Sequence, residues 1–87
     1  MTAKLFILKT IKEEPCTGYR LKKLSKKYFG KELSTGTIYP ILQEFDKKGL
    51  IKKTDDGYNI LTKGKYQLII YINNAFDKMQ MLEKLVK

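Results

Sequence analysis

Apolar positions along the chain fall into periods that define six elements. Ala3–Lys12, "AKLFILKTIK", carries Leu5, Phe6, Ile7, Leu8 and Ile11 around most of a helix circumference. A helix apolar on nearly all sides is predicted to be buried on nearly all sides. "EEPCTGY" interrupts it: Pro15 ends one element and Thr17 is placed to cap the next. From Gly18 to Phe29, Leu21, Leu24 and Tyr28 follow i, i+3, i+7 as an inward stripe, and Gly30 closes the helix. At about 100° per residue, Tyr19, Lys22, Lys23, Lys26 and Lys27 fall on its outer half. A third helix, Ser34–Lys48, begins at Ser34 as N-cap, turns Ile38, Ile41, Leu42 and Phe45 inward, and ends at Gly49.

Beyond Gly49, "LIKKTDDGYNILT" reads as two short β-prone runs around Asp56-Gly57, a strong hairpin signal. Thr62 opens a last helix predicted to run almost to Lys87. Its Leu68, Ile72, Ala75, Met79, Leu82 and Val86 are spaced 4-3-4-3-4, a heptad seam, with Ile69, Phe76 and Leu85 beside it. Such a helix spans about 39 Å, more than so small a domain can cover. The surplus apolar face calls for a partner, most simply a second copy. The expected fold is mainly α with a small β-hairpin: a winged helix-turn-helix plus a long C-terminal helix. Residues 1–61 form the winged-helix part and 62–87 the dimerisation helix, together one compact unit.

The third helix poses a chemical question. Opposite its apolar stripe run Gly36, Pro40, Gln43 and Lys47, with Thr37 and Tyr39 on the flanks. Gly and Pro inside a helix cost roughly 1 and 3 kcal/mol relative to Ala. A helix entering a DNA major groove presents its N-terminal residues to base edges, and its free N–H groups suit a phosphate. There, small Ser34, Thr35 and Gly36 let the backbone come close, Gln43 can pair with adenine, and Tyr39 can reach a phosphate. The plainer alternative makes Ser34–Thr37 only a turn and cap, Pro40 only a kink, and Tyr39 a packing partner for Tyr58.

Charge sharpens the choice. The 87 residues hold 18 Lys+Arg against 9 Asp+Glu, net +9. Met1–Lys53 contains 13 basic and 5 acidic residues, net +8; the remainder holds 5 and 4, net +1. That asymmetry points to a polyanion, although excess lysine also serves solubility. Cys16 is the single cysteine, so no internal disulfide forms and a reducing, cytoplasmic setting is expected. No apolar run approaches the roughly 20 residues of a membrane span. There is no histidine, no metal-ligand cluster and no phosphate-binding glycine loop; Asp55-Asp56 belongs to the hairpin. Neither a catalytic residue, a metal nor a cofactor is expected.

"TGYRLKKL" followed by "ELSTGTIYPILQEFDKKGLI" closely resembles the PadR-like winged-helix transcriptional regulators. That family opens its second helix with Gly-Tyr and carries Ser-x-Gly-Thr-hydrophobic-Tyr-Pro on its recognition helix. The resemblance covers about Leu5 to Ile51. It implies a homodimer held largely by the C-terminal helix, repression of transcription, and often a small effector. By position, Ser34, Thr35, Gly36, Thr37 and Tyr39 would face DNA, with Tyr19 near the same backbone. Two features depart from the family. The wing tip is Thr54-Asp55-Asp56-Gly57 where Arg or Lys is usual, and "LTKG" is one residue shorter than the usual Leu-Thr-x-x-Gly.

The expected protein is therefore a dimeric, sequence-specific DNA-binding regulator, a repressor that occupies promoter DNA. Its DNA-facing set is Tyr19, Lys22, Lys23, Lys26, Ser34, Thr35, Gly36, Thr37, Tyr39, Gln43 and Lys47. Leu68, Ile72, Ala75, Phe76, Met79, Leu82 and Val86 form its dimer seam, with room for an effector near Tyr71, Phe76 and Met79. A DNA-coating architectural protein and a winged-helix protein-interaction module remain the alternatives.

Overall fold

A computed structural model describes residues 1–86, the side chain of Val86 excepted. The elements follow as α1 (Ala3–Glu13), α2 (Gly18–Phe29), α3 (Thr35–Lys47), β1 (Ile51–Thr54), β2 (Gly57–Ile60) and α4 (Thr62–Val86). This is the winged-helix order, with α2 and α3 as the helix-turn-helix and the hairpin as the wing. The Thr2 hydroxyl accepts from Leu5 N at 3.2 Å to cap α1, and that of Thr17 accepts from Arg20 N at 3.1 Å to cap α2. Gly30 ends α2 in the left-handed region, φ 76°, as a C-terminal glycine should.

Helix α1 is the hub. Phe6, Ile7, Leu8 and Ile11 are all buried, and α2, α3, α4 and β2 pack around them. Leu21 of α2 and Ile38, Leu42 and Phe45 of α3 complete the core, with Leu50 and Ile51 entering the wing. Tyr28 departs from its expected inward place and is half-exposed. The buried line of α2 is Leu21 and Ser25, rotated toward i+4, so Phe29 packs on the core. The Tyr28 ring lies at the rim, 5.2 Å from that of Phe6.

In the hairpin Ile51 pairs with Ile60 and Thr54 with Gly57, so the two-residue loop is Asp55-Asp56, one position earlier than Asp56-Gly57. The hairpin also pairs outside itself. Cys16 and Tyr58 exchange backbone hydrogen bonds of 3.1 and 2.7 Å, making Cys16 a third, one-residue strand. Gly57 bends past it at φ 113°, where a Cβ would stand 2.6 Å from the Cys16 carbonyl carbon. The Cys16 side chain is buried, and burial pushes its thiol up, which leaves it inert packing. Despite the short "LTKG", α4 begins at Thr62 as expected. Leu61 N donates to Leu50 O at 2.9 Å, and Gly64 sits so close to that carbonyl that a side chain there would overlap it.

An ion pair joins α1 to α3. Lys4 Nζ lies 3.0 Å from Glu44 Oε2, an oxygen sealed from solvent, and Lys48 Nζ lies 3.8 Å from Oε1. Contact with Lys4 holds the Glu44 carboxyl below its ordinary value of 4.5, against desolvation; the same contact holds Lys4 above 10.5.

Two outcomes follow. Gly57→Ala should cost about 1–3 kcal/mol or more in urea unfolding, since both φ and space forbid it. Gly49→Ala, at φ 74° with nothing within 4 Å of its Cβ, should cost only about 1–2 kcal/mol. A carboxyl with a lowered native pKa stabilises above its unfolded value and loses that contribution as pH falls through the native one. Wild type should therefore lose more stability than Glu44→Gln as pH falls below the ordinary carboxyl value of 4.5, measured by urea midpoints.

Candidate nucleic-acid interface

The α2–α3 turn is held by one buried hydroxyl. Ser25 Oγ donates to Lys22 O at 2.6 Å and accepts from Leu33 N at 2.8 Å, so both its roles are filled inside the protein. Lys23 Nζ reaches Glu32 Oε1 across the same turn at 3.2 Å. Ser25 was not singled out in the sequence, where it is one more polar residue among lysines. Its signal was position: it lies four residues after Leu21 on the inner face.

This clamp presents α3 with a clean division. Ile38, Leu42 and Phe45 are fully buried, whereas Ser34, Thr35, Gly36, Tyr39, Pro40, Gln43 and Lys47 are exposed and Thr37 is half-buried. Ser34 occupies the N-cap without capping an N–H; its hydroxyl instead meets that of Thr37 at 3.2 Å. The N–H groups of the first turn thus have no side-chain cap. Pro40 has no N–H for the Gly36 carbonyl, which leaves that oxygen without its usual helical donor. Gln43 lies about 12 Å and Lys47 about 18 Å along the axis from Thr35. Lys47 therefore belongs to the far end of α3, apart from the Ser34–Tyr39 group.

Two glycines here have opposite explanations. A Cβ on Gly18 would stand 2.7 Å from Tyr39 Cζ and 2.8 Å from its Cε1 and hydroxyl oxygen. Tyr39 thus rests on the start of α2. A Cβ on Gly36 would meet only Ser34 Oγ at 3.7 Å, an ordinary contact, and Gly36 takes no positive φ. Nothing inside the protein asks for glycine at 36, where it costs about 0.5–1 kcal/mol relative to alanine.

On α2, Tyr19 is 67% exposed and the Lys23 ammonium lies 5.4 Å from its ring centre. Glu32 contact raises Lys23 above its ordinary value, and Tyr19 adds to the shift. Lys23 is therefore already engaged, while Lys22, Lys26 and Lys47 form no ion pair among the described residues. The wing tip acids Asp55 and Asp56 are exposed; Lys52 and Lys53 on β1 are exposed behind them.

The seam residues separate into two groups. Leu68 is 4% exposed and belongs to the core of its own chain, and Tyr71 packs there too, its ring 6.5 Å from that of Phe45. Leu68 is thus covered by its own chain. Ile72, Ala75, Phe76, Met79 and Leu82 are exposed, Met79 to 62%; the side chain of Val86 lies outside the described residues. Between them and the start of α1 runs an open groove of about 540 Å³, lined by Leu5, Tyr71, Ala75, Met79 and Leu82 among others. Phe76 does not line it. Among the described residues no three His, Cys, Asp or Glu side chains gather to hold a metal, and no helix is long and apolar enough to cross a membrane.

The fold is shared with solved transcriptional regulators. A PadR-like transcriptional regulator from Bacillus cereus superposes with a TM-score of 0.80 at 28% identity, over 97% of this chain and 90% of its own. RosR of H. salinarum superposes with a TM-score of 0.74 at 22% identity, over 99% of this chain and 89% of its own, a likeness of fold. No curated protein matches the sequence significantly. The family model described as "Transcriptional regulator PadR-like family" matches residues 7–68, and the chain belongs to that family of transcriptional regulators, which are not enzymes.

Proposed function

We propose that the chain is a dimeric, sequence-specific regulator that represses transcription by occupying promoter DNA through α3. Gly36 carries this reading. It stands on the bare face of a helix, with its missing side chain unexplained by anything in its own chain. Close approach of a ligand to the backbone is the remaining use for it. The surrounding groups suit DNA: the Ser34 and Thr35 hydroxyls, the uncapped first turn and Tyr39 for phosphate, Gln43 for a base edge. Lys22 and Lys26 supply charge from α2, whereas Lys23 shares its charge with Glu32. The Asp55-Asp56 tip opposes a phosphate contact at the wing's end, and Lys52 and Lys53 would serve better.

A second copy along Ile72, Ala75, Phe76, Met79 and Leu82 would cover the apolar half of α4 left bare by its own chain. Two recognition helices so joined would meet successive major grooves, about 34 Å apart. Leu5, Tyr71 and Met79 are assigned to dimer core, with any small effector confined to space left between the copies. A DNA target and a single buried thiol suit the cytoplasm.

Fluorescence anisotropy with the protein's own upstream duplex and a shuffled one, across a salt series, tests the reading. Tighter binding of the upstream duplex by about 10³ or more at matched salt, with two chains per duplex, is expected. Equal binding with a steep salt slope would favour the architectural alternative. No binding to either at low salt would replace DNA with a protein partner.

Gly36→Ala separates fold from function. It should raise the urea midpoint, by up to about 1 kcal/mol of stability, while weakening binding to the upstream duplex. Unchanged affinity in the stabilised variant would remove Gly36 from the interface.

A further inference from the structure

We infer that Gly18 is a positioning residue for DNA binding: its bare Cα forms the seat on which the Tyr39 ring rests, and so fixes where the Tyr39 hydroxyl is offered to the duplex. The inference rests on the DNA-facing surface proposed above and adds to it a buried residue from the other helix.

The three atoms nearest a Cβ at position 18 are Cζ, Cε1 and the hydroxyl oxygen of Tyr39, at 2.7–2.8 Å. All belong to the outer end of the ring, so the phenol end lies across the first turn of α2. Gly18 is buried beneath it, while Tyr39 keeps 45% of its surface exposed. One side of the ring is fixed by the glycine and the other is free for a ligand.

Conformation does not account for this glycine. Gly18 takes no positive φ, and Thr17 already caps the helix. Space accounts for it. The root of Tyr39 is equally constrained, because it follows fully buried Ile38 and precedes Pro40 within α3. An alanine at 18 is therefore relieved by swinging the outer end of the ring, which costs the fold little, and not by shifting α3. Tyr19 stands beside Gly18 with Lys23 over its ring, so a displaced Tyr39 also disturbs the surface next to them.

The test is a double-mutant cycle in the full chain, using as probe the duplex that wild type selects from a randomised pool. Gly18→Ala should bind that duplex roughly tenfold or more weakly, the loss expected when one hydrogen bond to a charged group is misplaced. Its thermal midpoint should stay well above the assay temperature. In a Tyr39→Leu background, where the ring is gone, adding Gly18→Ala should change affinity by less than about twofold. A merely structural glycine would lower the midpoint and leave affinity alone, which overturns the inference. Additive losses across the cycle overturn it equally. A Gly18→Ala chain that fails to fold marks a structural glycine and overturns the inference, as does full affinity in Tyr39→Leu alone. If wild type selects no duplex at all, the DNA reading itself falls. Wild-type selection with a failed cycle removes Gly18 alone.

Discussion

Helix α1 has no solvent face over Phe6–Leu8, so the other elements must close around it. Burying Phe6, Ile7, Leu8 and Ile11 contributes roughly 1.5–3 kcal/mol per side chain before entropy is counted. That gross gain is comparable to the whole net stability of a small domain. The consequence is geometric as well as energetic. Because α2, α3, β2 and α4 all pack on one short rod, each is placed relative to the others through it.

Fixing the elements on a common rod leaves little room at their junctions, and small residues occupy those places. Gly64 lets α4 start against the Leu50 carbonyl, and Gly57 lets the wing pass Cys16. Gly18 admits the Tyr39 ring. Each is explained by a neighbour within 3 Å of the side chain it lacks. Gly36 has no such neighbour, so no close approach within the chain calls for a glycine there. Ser25 is the polar counterpart: a hydroxyl with both hydrogen-bonding roles satisfied where the turn leaves no space for a longer side chain.

The local part of this was legible in the chain. Caps at Thr17 and Gly30, the apolar stripe of α3 and the start of α4 depend on neighbours within about a turn, and they fell where periodicity placed them. What depends on distant partners was not legible. Cys16, forty-two positions before Tyr58, adds a one-residue strand to the hairpin. Tyr28 lies at the rim, its ring beside that of Phe6 on α1. Leu68 sits in the right heptad position for a seam, yet its own core claims it. The exposed face of α3 was readable from the wheel; the seat of Tyr39 on Gly18 was not, since it joins residues twenty-one apart.

These non-local contacts bear on how α4 and α3 stand to one another. Tyr71 lines the α1–α4 groove and places its ring 6.5 Å from that of Phe45, on the inner face of α3. Lys4 lines the same groove and is paired with Glu44, the residue before Phe45. One aromatic contact and one ion pair thus tie consecutive residues of α3 to the groove wall. An exposed ion pair alone would weigh little, but Glu44 Oε2 is sealed from solvent, which reduces screening by water. In a dimer joined along α4, the separation of the two α3 helices would be set by these ties as much as by the seam itself. Whatever fills the groove touches the residues that hold α3 in place.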